Sequence, residues 1–111
     1  QAASRVKDAF GTKMIRASHP VGSIWKVAVC GGAGSSLIDA ARAVGAQLYI
    51  CADVSYHHFF TPDGFAVMDV GHFESEKDIV DVLFSLLRKK FPTFAIHASS
   101  YLNAANPVNY I

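Results

Sequence analysis

The chain has 111 residues, of which 51% are apolar and 17% are charged, so it is long enough to bury the core of one small domain. Its formal net charge of +1, with Lys and Arg residues scattered along the chain, gives no indication of nucleic-acid binding. No apolar run approaches the roughly 20 residues that span a bilayer, and no signal peptide is recognisable. We therefore expect a soluble, cytoplasmic protein.

The two cysteines, Cys30 and Cys51, have no metal-binding spacing, and each ends a short apolar run. Reduced, buried thiols are favoured over a disulfide in a cytosolic protein, although the sequence leaves both states open. The chain starts at Gln1 inside a helical pattern that has no start signal of its own. We expect it to be excised from a longer protein.

The first elements along the chain are a short helix and an edge strand. Ala3, Val6 and Phe10 lie at helical spacing, and Gly11 is placed where the helix would stop. Residues 13–17 are expected to form a brief edge strand, and residues 18–23 carry the turn chemistry of a loop.

Apolar runs then alternate with helical patterns. Strands are predicted at residues 24–30, 48–52 and 65–70, with a helix over 37–44 that ends before Gly45. Because the strands are continuously apolar instead of alternating, they predict a mostly parallel sheet that is covered by helices on both faces.

A second long helix and a further strand are predicted near the end of the chain. Ser75 and Asp78 resemble a capping box that opens a helix, whose apolar side consists of Ile79, Val80, Leu83, Leu86 and Leu87. Residues 93–98 are predicted to form the last strand. The fold class is therefore α/β, with a sheet of about four to five strands.

Polar side chains follow the predicted strands at the points where the strands end. Because the carboxyl ends of parallel strands share one edge of a sheet, where α/β proteins bind ligands, we expect these side chains to lie close together. They are Asp53, Tyr56, His57, His58, His72, Glu74 and Glu76. By contrast, His19 and His97 are expected to be surface or structural histidines.

The pair His72 and Glu76 has two interpretations. Imidazole and carboxylate ligands suit zinc, manganese or iron, and the spacing of four residues allows both side chains to reach one centre. Alternatively, Glu76 only interacts favourably with the dipole at the start of a helix. The spacing alone does not decide between them.

The glycine-rich stretch after the first long strand also has two interpretations. Its backbone N–H groups are suited to holding an anion, or its small residues allow a helix to pack closely on the sheet. The residues concerned are Gly31, Gly32, Gly34 and Ser35. The stretch matches neither a P-loop nor a dinucleotide fingerprint, and the chain contains no serine-hydrolase elbow.

Four motifs together resemble the C-terminal part of the Nif-three-like family. They are VAVCGGAGSS at residues 27–36, DVSYH at 53–57, DVGHFESE at 69–76 and NPVNY at 106–110. They occur in the family's order and cover nearly the whole chain, so the chain is identified as a member of that family.

The resemblance implies a ring-shaped homohexamer in which each subunit holds two divalent metal ions between an N-terminal and a C-terminal α/β half. His72 and Glu76 match the two C-terminal metal ligands, and the N-terminal half of the same protein supplies the others. Asp53 and His57 are expected to support the ligands or face the substrate. Residues 1–17 resemble the end of an inserted PII-like domain, and residues 18–111 then form the C-terminal metal-binding domain.

The resemblance also implies two rival functions. One is a metal-dependent hydrolase related to GTP cyclohydrolase type 2, in which a dinuclear centre activates water. The other is a non-catalytic scaffold or interaction protein in which the metal is structural. In either case residues 1–111 hold an incomplete site, and we expect them to be catalytically inactive alone. The resemblance leaves open whether they bind metal alone.

Overall fold

The structure is a computed structural model that describes residues 1–19, 21–100 and 106–111. It consists of two compact units, residues 1–75 and residues 76–111, each of which is described by itself. Pro20, which belongs to the predicted loop 18–23, lies outside the described residues.

The described residues of the first unit form a four-stranded sheet. The strands are β1 (Arg16–Ala17), β2 (Val27–Ala33), β3 (Leu48–Ala52) and β4 (Ala66–Asp69), in the order β1-β4-β3-β2. The pairs β2–β3 and β3–β4 are parallel, and the short edge strand β1 runs antiparallel to β4. The prediction of a mostly parallel α/β sheet is confirmed.

Two helices of this unit contribute to apolar clusters that involve the sheet. Val6 of α1 (Ala2–Phe10) belongs to a cluster with Leu48 and Ile50 of β3, and Ala41 of α2 (Ile38–Ala43) belongs to a cluster with Tyr49 and Cys51. Alternate residues of β3 therefore enter different clusters, as the two faces of a covered strand require. All residues of β3 and β4 are buried.

Residues 1–17 are part of this unit. Helix α1 ends as predicted, because Gly11 adopts the left-handed conformation with φ of 60°. Strand β1 pairs Arg16 with Asp69 and Ala17 with Met68. The proposed origin of residues 1–17 in an inserted domain concerns a longer protein and stays a prediction.

Strand β2 lies further along the chain than predicted. It covers Val27–Ala33, not residues 24–30, and its register with β3 shifts between Val29 and Ala33. The shift includes Gly32, whose φ of 66° favours glycine. Part of the predicted glycine loop is therefore an irregular end of the strand.

Near residue 75 the predicted capping box is wrong. Two helices occur there, α3 (His72–Glu76) and α4 (Ile79–Lys90), and the Asp78 side chain forms no capping hydrogen bond at the start of α4. The Ser75 hydroxyl instead accepts a hydrogen bond from the Gly32 N–H (2.8 Å) and donates one to the His72 carbonyl (2.8 Å). A contact distant in sequence has replaced the local cap.

In the second unit, no residue of α4 is buried, and four of the five residues on its predicted apolar side are exposed: Ile79, Leu83, Leu86 and Leu87. Residues 93–98, all within the described part of the chain, form no strand, so that prediction is wrong. After α4 the chain turns, with the Phe94 N–H donating to the Phe91 carbonyl (3.2 Å). The turn uses residues that the apolar pattern had assigned to a strand.

Across residues 1–19, 21–100 and 106–111, no helix combines the length and the apolar character that crossing a membrane requires.

Candidate metal centre

Asp53 and His72 meet at the carboxyl ends of β3 and β4. The His72 Nδ1 atom lies 2.6 Å from the Asp53 Oδ2 atom, and the two side chains are about half exposed. Asp53 has a φ of 53°, the only positive φ at a non-glycine residue in the described part of the chain. Strained backbone of this kind is concentrated at functional sites.

A buried carboxylate holds the two segments that carry this pair. Asp69 is 6% exposed and accepts hydrogen bonds from the N–H groups of Val54 (3.0 Å) and Gly71 (3.0 Å). Val54 follows Asp53, and Gly71 precedes His72. Asp69 therefore fixes the backbone directly beside each member of the pair.

Arg16 completes this arrangement from strand β1. Its guanidinium forms a salt bridge with Asp69 and donates a hydrogen bond to the Val54 carbonyl (2.9 Å). Sequence reasoning placed Asp69 only within a motif and gave Arg16 no role. A charged residue ending an otherwise apolar strand was the signal for Asp69, because buried carboxylates require partners.

The other predicted site residues occupy three positions. Glu76 lies in α3 four residues after His72, a spacing that places the two side chains on one side of a helix. His57 lies in a short 3-10 helix, Tyr56–Phe59, where its ring contacts that of His58 at 4.3 Å. The hydroxyl of Ser55 lies 2.8 Å from the His58 Nδ1 atom.

The glycine-rich stretch is partly engaged by protein atoms. Gly31 and Gly32 belong to β2, and the N–H of Gly32 donates to Ser75. The Gly34 N–H donates to the Ala52 carbonyl (3.4 Å). Two of the donors that an anion would need are therefore occupied, and anion binding by Gly31 and Ser35 stays a prediction.

Gly34 itself is required by close packing. A Cβ atom at this position would lie 2.6 Å from the Tyr49 hydroxyl and 2.7 Å from the Cys51 Cβ atom. The Tyr49 hydroxyl donates to the Gly34 carbonyl (2.8 Å). This contact supports the tight-turn interpretation of the stretch.

Both cysteines are free, as expected. Burial and the neighbouring Asp69 charge raise the pKa of the Cys51 thiol to about 11. Burial also raises the pKa of the Tyr49 hydroxyl well above its usual value. Both groups stay protonated at neutral pH and belong to the core.

The described residues contain no group of three or more His, Cys, Asp or Glu side chains arranged to hold a metal ion. The donor pair that the structure brings into contact is Asp53 and His72.

Comparison with known proteins identifies a family and several relatives that this chain resembles. Residues 1–107 match the model of the Duf34/NIF3 (NGG1p interacting factor 3) family. Two relatives are named GTP cyclohydrolase 1 type 2 homologue. The Nostoc protein is 36% identical over 67 residues, covering 59% of this chain and 26% of that protein. The Clostridium perfringens protein is 34% identical over 76 residues, covering 64% and 28%.

Solved structures show the same fold. A Bacillus cereus protein related to NIF3 superposes with a TM-score of 0.85 at 28% identity, covering 98% of this chain and 31% of that chain. A hypothetical protein from Staphylococcus aureus has a TM-score of 0.81 at 24% identity, covering 98% and 38%. The chain thus spans between a quarter and two fifths of these proteins, and it belongs to the Duf34/NIF3 family.

Proposed function

We propose that the chain is the part of a divalent-metal-binding protein that contributes His72 and Glu76 to a dinuclear centre. The observation that carries the proposal is the 2.6 Å contact between the His72 Nδ1 atom and the Asp53 carboxylate. Metal-binding histidines nearly always donate their second ring N–H group to a carboxylate, a carbonyl or water. In this arrangement Asp53 is the carboxylate that orients the His72 ring for metal binding.

The donor set supports a first-row divalent ion. An imidazole nitrogen and a carboxylate oxygen suit zinc, manganese or iron, and helix α3 carries both ligands four residues apart. Asp53 orients His72, and Asp69 orients both segments through backbone N–H groups. His57 follows Asp53 by four residues, and we assign it a supporting or substrate-facing role.

In a longer protein the remaining ligands come from outside residues 1–111. We propose that they lie in an N-terminal half of the same protein, that an inserted PII-like domain ends at residue 17, and that the whole assembles as a homohexamer. The motifs shared with the Nif-three-like family support this part of the proposal.

The proposed activity is hydrolysis. A bound divalent ion supplies an activated water at neutral pH by lowering its pKa. The name GTP cyclohydrolase 1 type 2 homologue, carried by the relatives, supports a nucleotide as the substrate. Within this chain, His72 and Glu76 bind the ion and Asp53 keeps the His72 ring in one orientation.

The test is the metal content of three single variants of the full-length protein. We expect His72→Ala and Glu76→Ala to reduce affinity by at least the roughly 10- to 100-fold typical of losing a supporting partner. Glu74→Ala is the matched control, because it removes a carboxylate from the same helix two residues from each ligand.

Metal-to-protein ratios and melting temperatures are measured side by side for these variants. Equal metal content in wild type, His72→Ala and Glu76→Ala contradicts the ligand assignment. Metal that binds fully without metal-dependent GTP hydrolysis favours the structural, scaffold role instead.

A further inference from the structure

Aromatic side chains form a second candidate site in the first unit. A pocket of about 280 Å³ opens between the end of β1 and the 3-10 helix Tyr56–Phe59. We call it the aromatic pocket, and its lining residues are Ala17, Ser18, His19, Tyr56, Phe59 and Phe60.

Two of its rings are unusually exposed. Tyr56 is 77% exposed and Phe60 is 74% exposed, and their rings meet edge to face with centroids 5.4 Å apart. Large apolar surface of this kind is unfavourable in water, and grouped exposed rings mark binding sites more often than isolated ones. The pair is therefore shaped for contact with another flat apolar surface.

The third ring, that of Phe59, is held in place by Arg16. The guanidinium of Arg16 lies 5.2 Å from the Phe59 ring centroid, and Arg16 is itself fixed by Asp69 and the Val54 carbonyl. A cation at this distance favours the orientation of the ring. Phe59 thus presents a fixed surface without needing the ligand to order it.

The size and polarity of the pocket favour a small molecule. About 280 Å³ is near the lower end of the range of roughly 300 to 1,000 Å³ that ligand pockets occupy. Aromatic walls with a few polar groups, here the His19 imidazole and the Ser18 hydroxyl, are typical of such pockets. A ring carrying nitrogen and oxygen atoms matches both features.

The aromatic pocket is continuous with the candidate metal centre along the chain. Asp53 contacts His72, Val54 is bound to Asp69, and the pocket begins at Tyr56, only three residues after Asp53. The segment from Asp53 to Phe60 therefore carries residues of both the candidate metal centre and the aromatic pocket.

We propose that the aromatic pocket binds the planar nitrogen-containing ring of a small-molecule ligand, stacked against Tyr56 and Phe60. That this ligand is the substrate of the metal centre rests on the proposed function, but ring binding itself does not require the metal.

The experiment measures binding of guanosine, a fused-ring nitrogen heterocycle, to the full-length protein by calorimetry, with ribose as the ring-free control. We expect guanosine to bind and ribose not to bind. Because stacking on an aromatic side chain contributes about 1 to 3 kcal/mol per base, Tyr56→Ala and Phe60→Ala should each weaken guanosine binding about 5- to 150-fold.

Trp25→Ala is the matched control, since Trp25 is 88% exposed and does not line the pocket. It should leave guanosine affinity unchanged. His72→Ala separates the two proposals: guanosine binding retained in a protein that has lost metal supports both of them, and binding retained without metal loss overturns only the metal assignment.

Absence of guanosine binding, or equal affinity in wild type, Tyr56→Ala and Phe60→Ala, overturns the pocket assignment. A change in oligomeric state in Tyr56→Ala or Phe60→Ala, without a change in guanosine affinity, also overturns it, because the rings would then cover a protein interface.

Discussion

Replacing Asp53 by glycine separates the role of its side chain from the strain of its backbone. The φ of 53° is a left-handed conformation that costs a typical L-residue about 1 to 2 kcal/mol, less for Asp, and that glycine adopts without strain. The side chain's contact with His72 is half exposed, and screened pairs of this kind contribute about 0 to 1 kcal/mol to stability.

These two effects have opposite signs and similar size, so the free energy of unfolding of Asp53→Gly should stay within about 1 kcal/mol of wild type. Metal affinity, by contrast, should decrease. Removing a carboxylate that supports a metal-binding histidine lowers affinity about 10- to 100-fold, which is about 1.4 to 2.7 kcal/mol. We therefore expect weaker metal binding in a protein of nearly unchanged stability.

The assay is a metal titration against a competing chelator, beside chemical denaturation, on the full-length protein. Asp39→Ala is the control, because it removes an exposed carboxylate whose partner is Arg42 (3.1 Å) and which lies in α2. It should leave both measurements close to wild type. Unchanged metal affinity in Asp53→Gly would refute the orienting role of this carboxylate.

Two further predictions concern the core beneath the site. Asp69→Ala leaves the N–H groups of Val54 and Gly71 without their acceptor, so we expect denaturation to show a loss of roughly 2 to 5 kcal/mol, whereas Arg16→Ala, at a half-exposed side chain, should cost less. Equal losses would contradict the central role of Asp69. The pKa of Cys51, raised to about 11 in the folded protein, means that the unfolded thiol ionises first. Stability should therefore fall as pH rises from about 9 to about 11, with a smaller slope in Cys51→Ala; identical slopes would contradict a buried neutral thiol.

The buried strands of the first unit were the most predictable part of the fold. Strand β3 covers Leu48–Ala52 as predicted, and β4 lies within the predicted residues 65–70. A short, continuously apolar run that is bounded by turn residues is typical of a strand that is buried on both faces of a sheet. The helix end at Gly11 was predictable for a similar local reason, since glycine favours the left-handed conformation found there.

The misplaced elements depend on contacts that a local pattern does not contain. The start of β2 is set by its pairing with Leu48, not by the first apolar residue of the run. Residues 93–98 have the apolar character of a strand but follow a turn closed by Phe91 and Phe94. Ser75 has the spacing of a cap and instead binds Gly32, 43 residues away.

The sequence predicted where the candidate site lies on the sheet better than it predicted which residues contact one another there. The rule that ligands bind at the carboxyl ends of parallel strands brought Asp53 and His72 to the same edge, and their side chains do meet there. The charge at the end of an apolar strand indicated that Asp69 needs partners, but nothing in the spacing identified Val54 and Gly71, because backbone N–H groups leave no trace in sequence.

The shared attachment of two loops to Asp69 has a consequence for motion. Because Val54 binds the Oδ2 atom and Gly71 binds the Oδ1 atom of one buried carboxylate, a displacement of either loop is passed to the other through the Asp69 side chain. The two loops should then fluctuate together, so that the Asp53–His72 separation varies less than the position of either residue. Correlated movement of this kind would keep the His72 imidazole aligned with the Asp53 carboxylate.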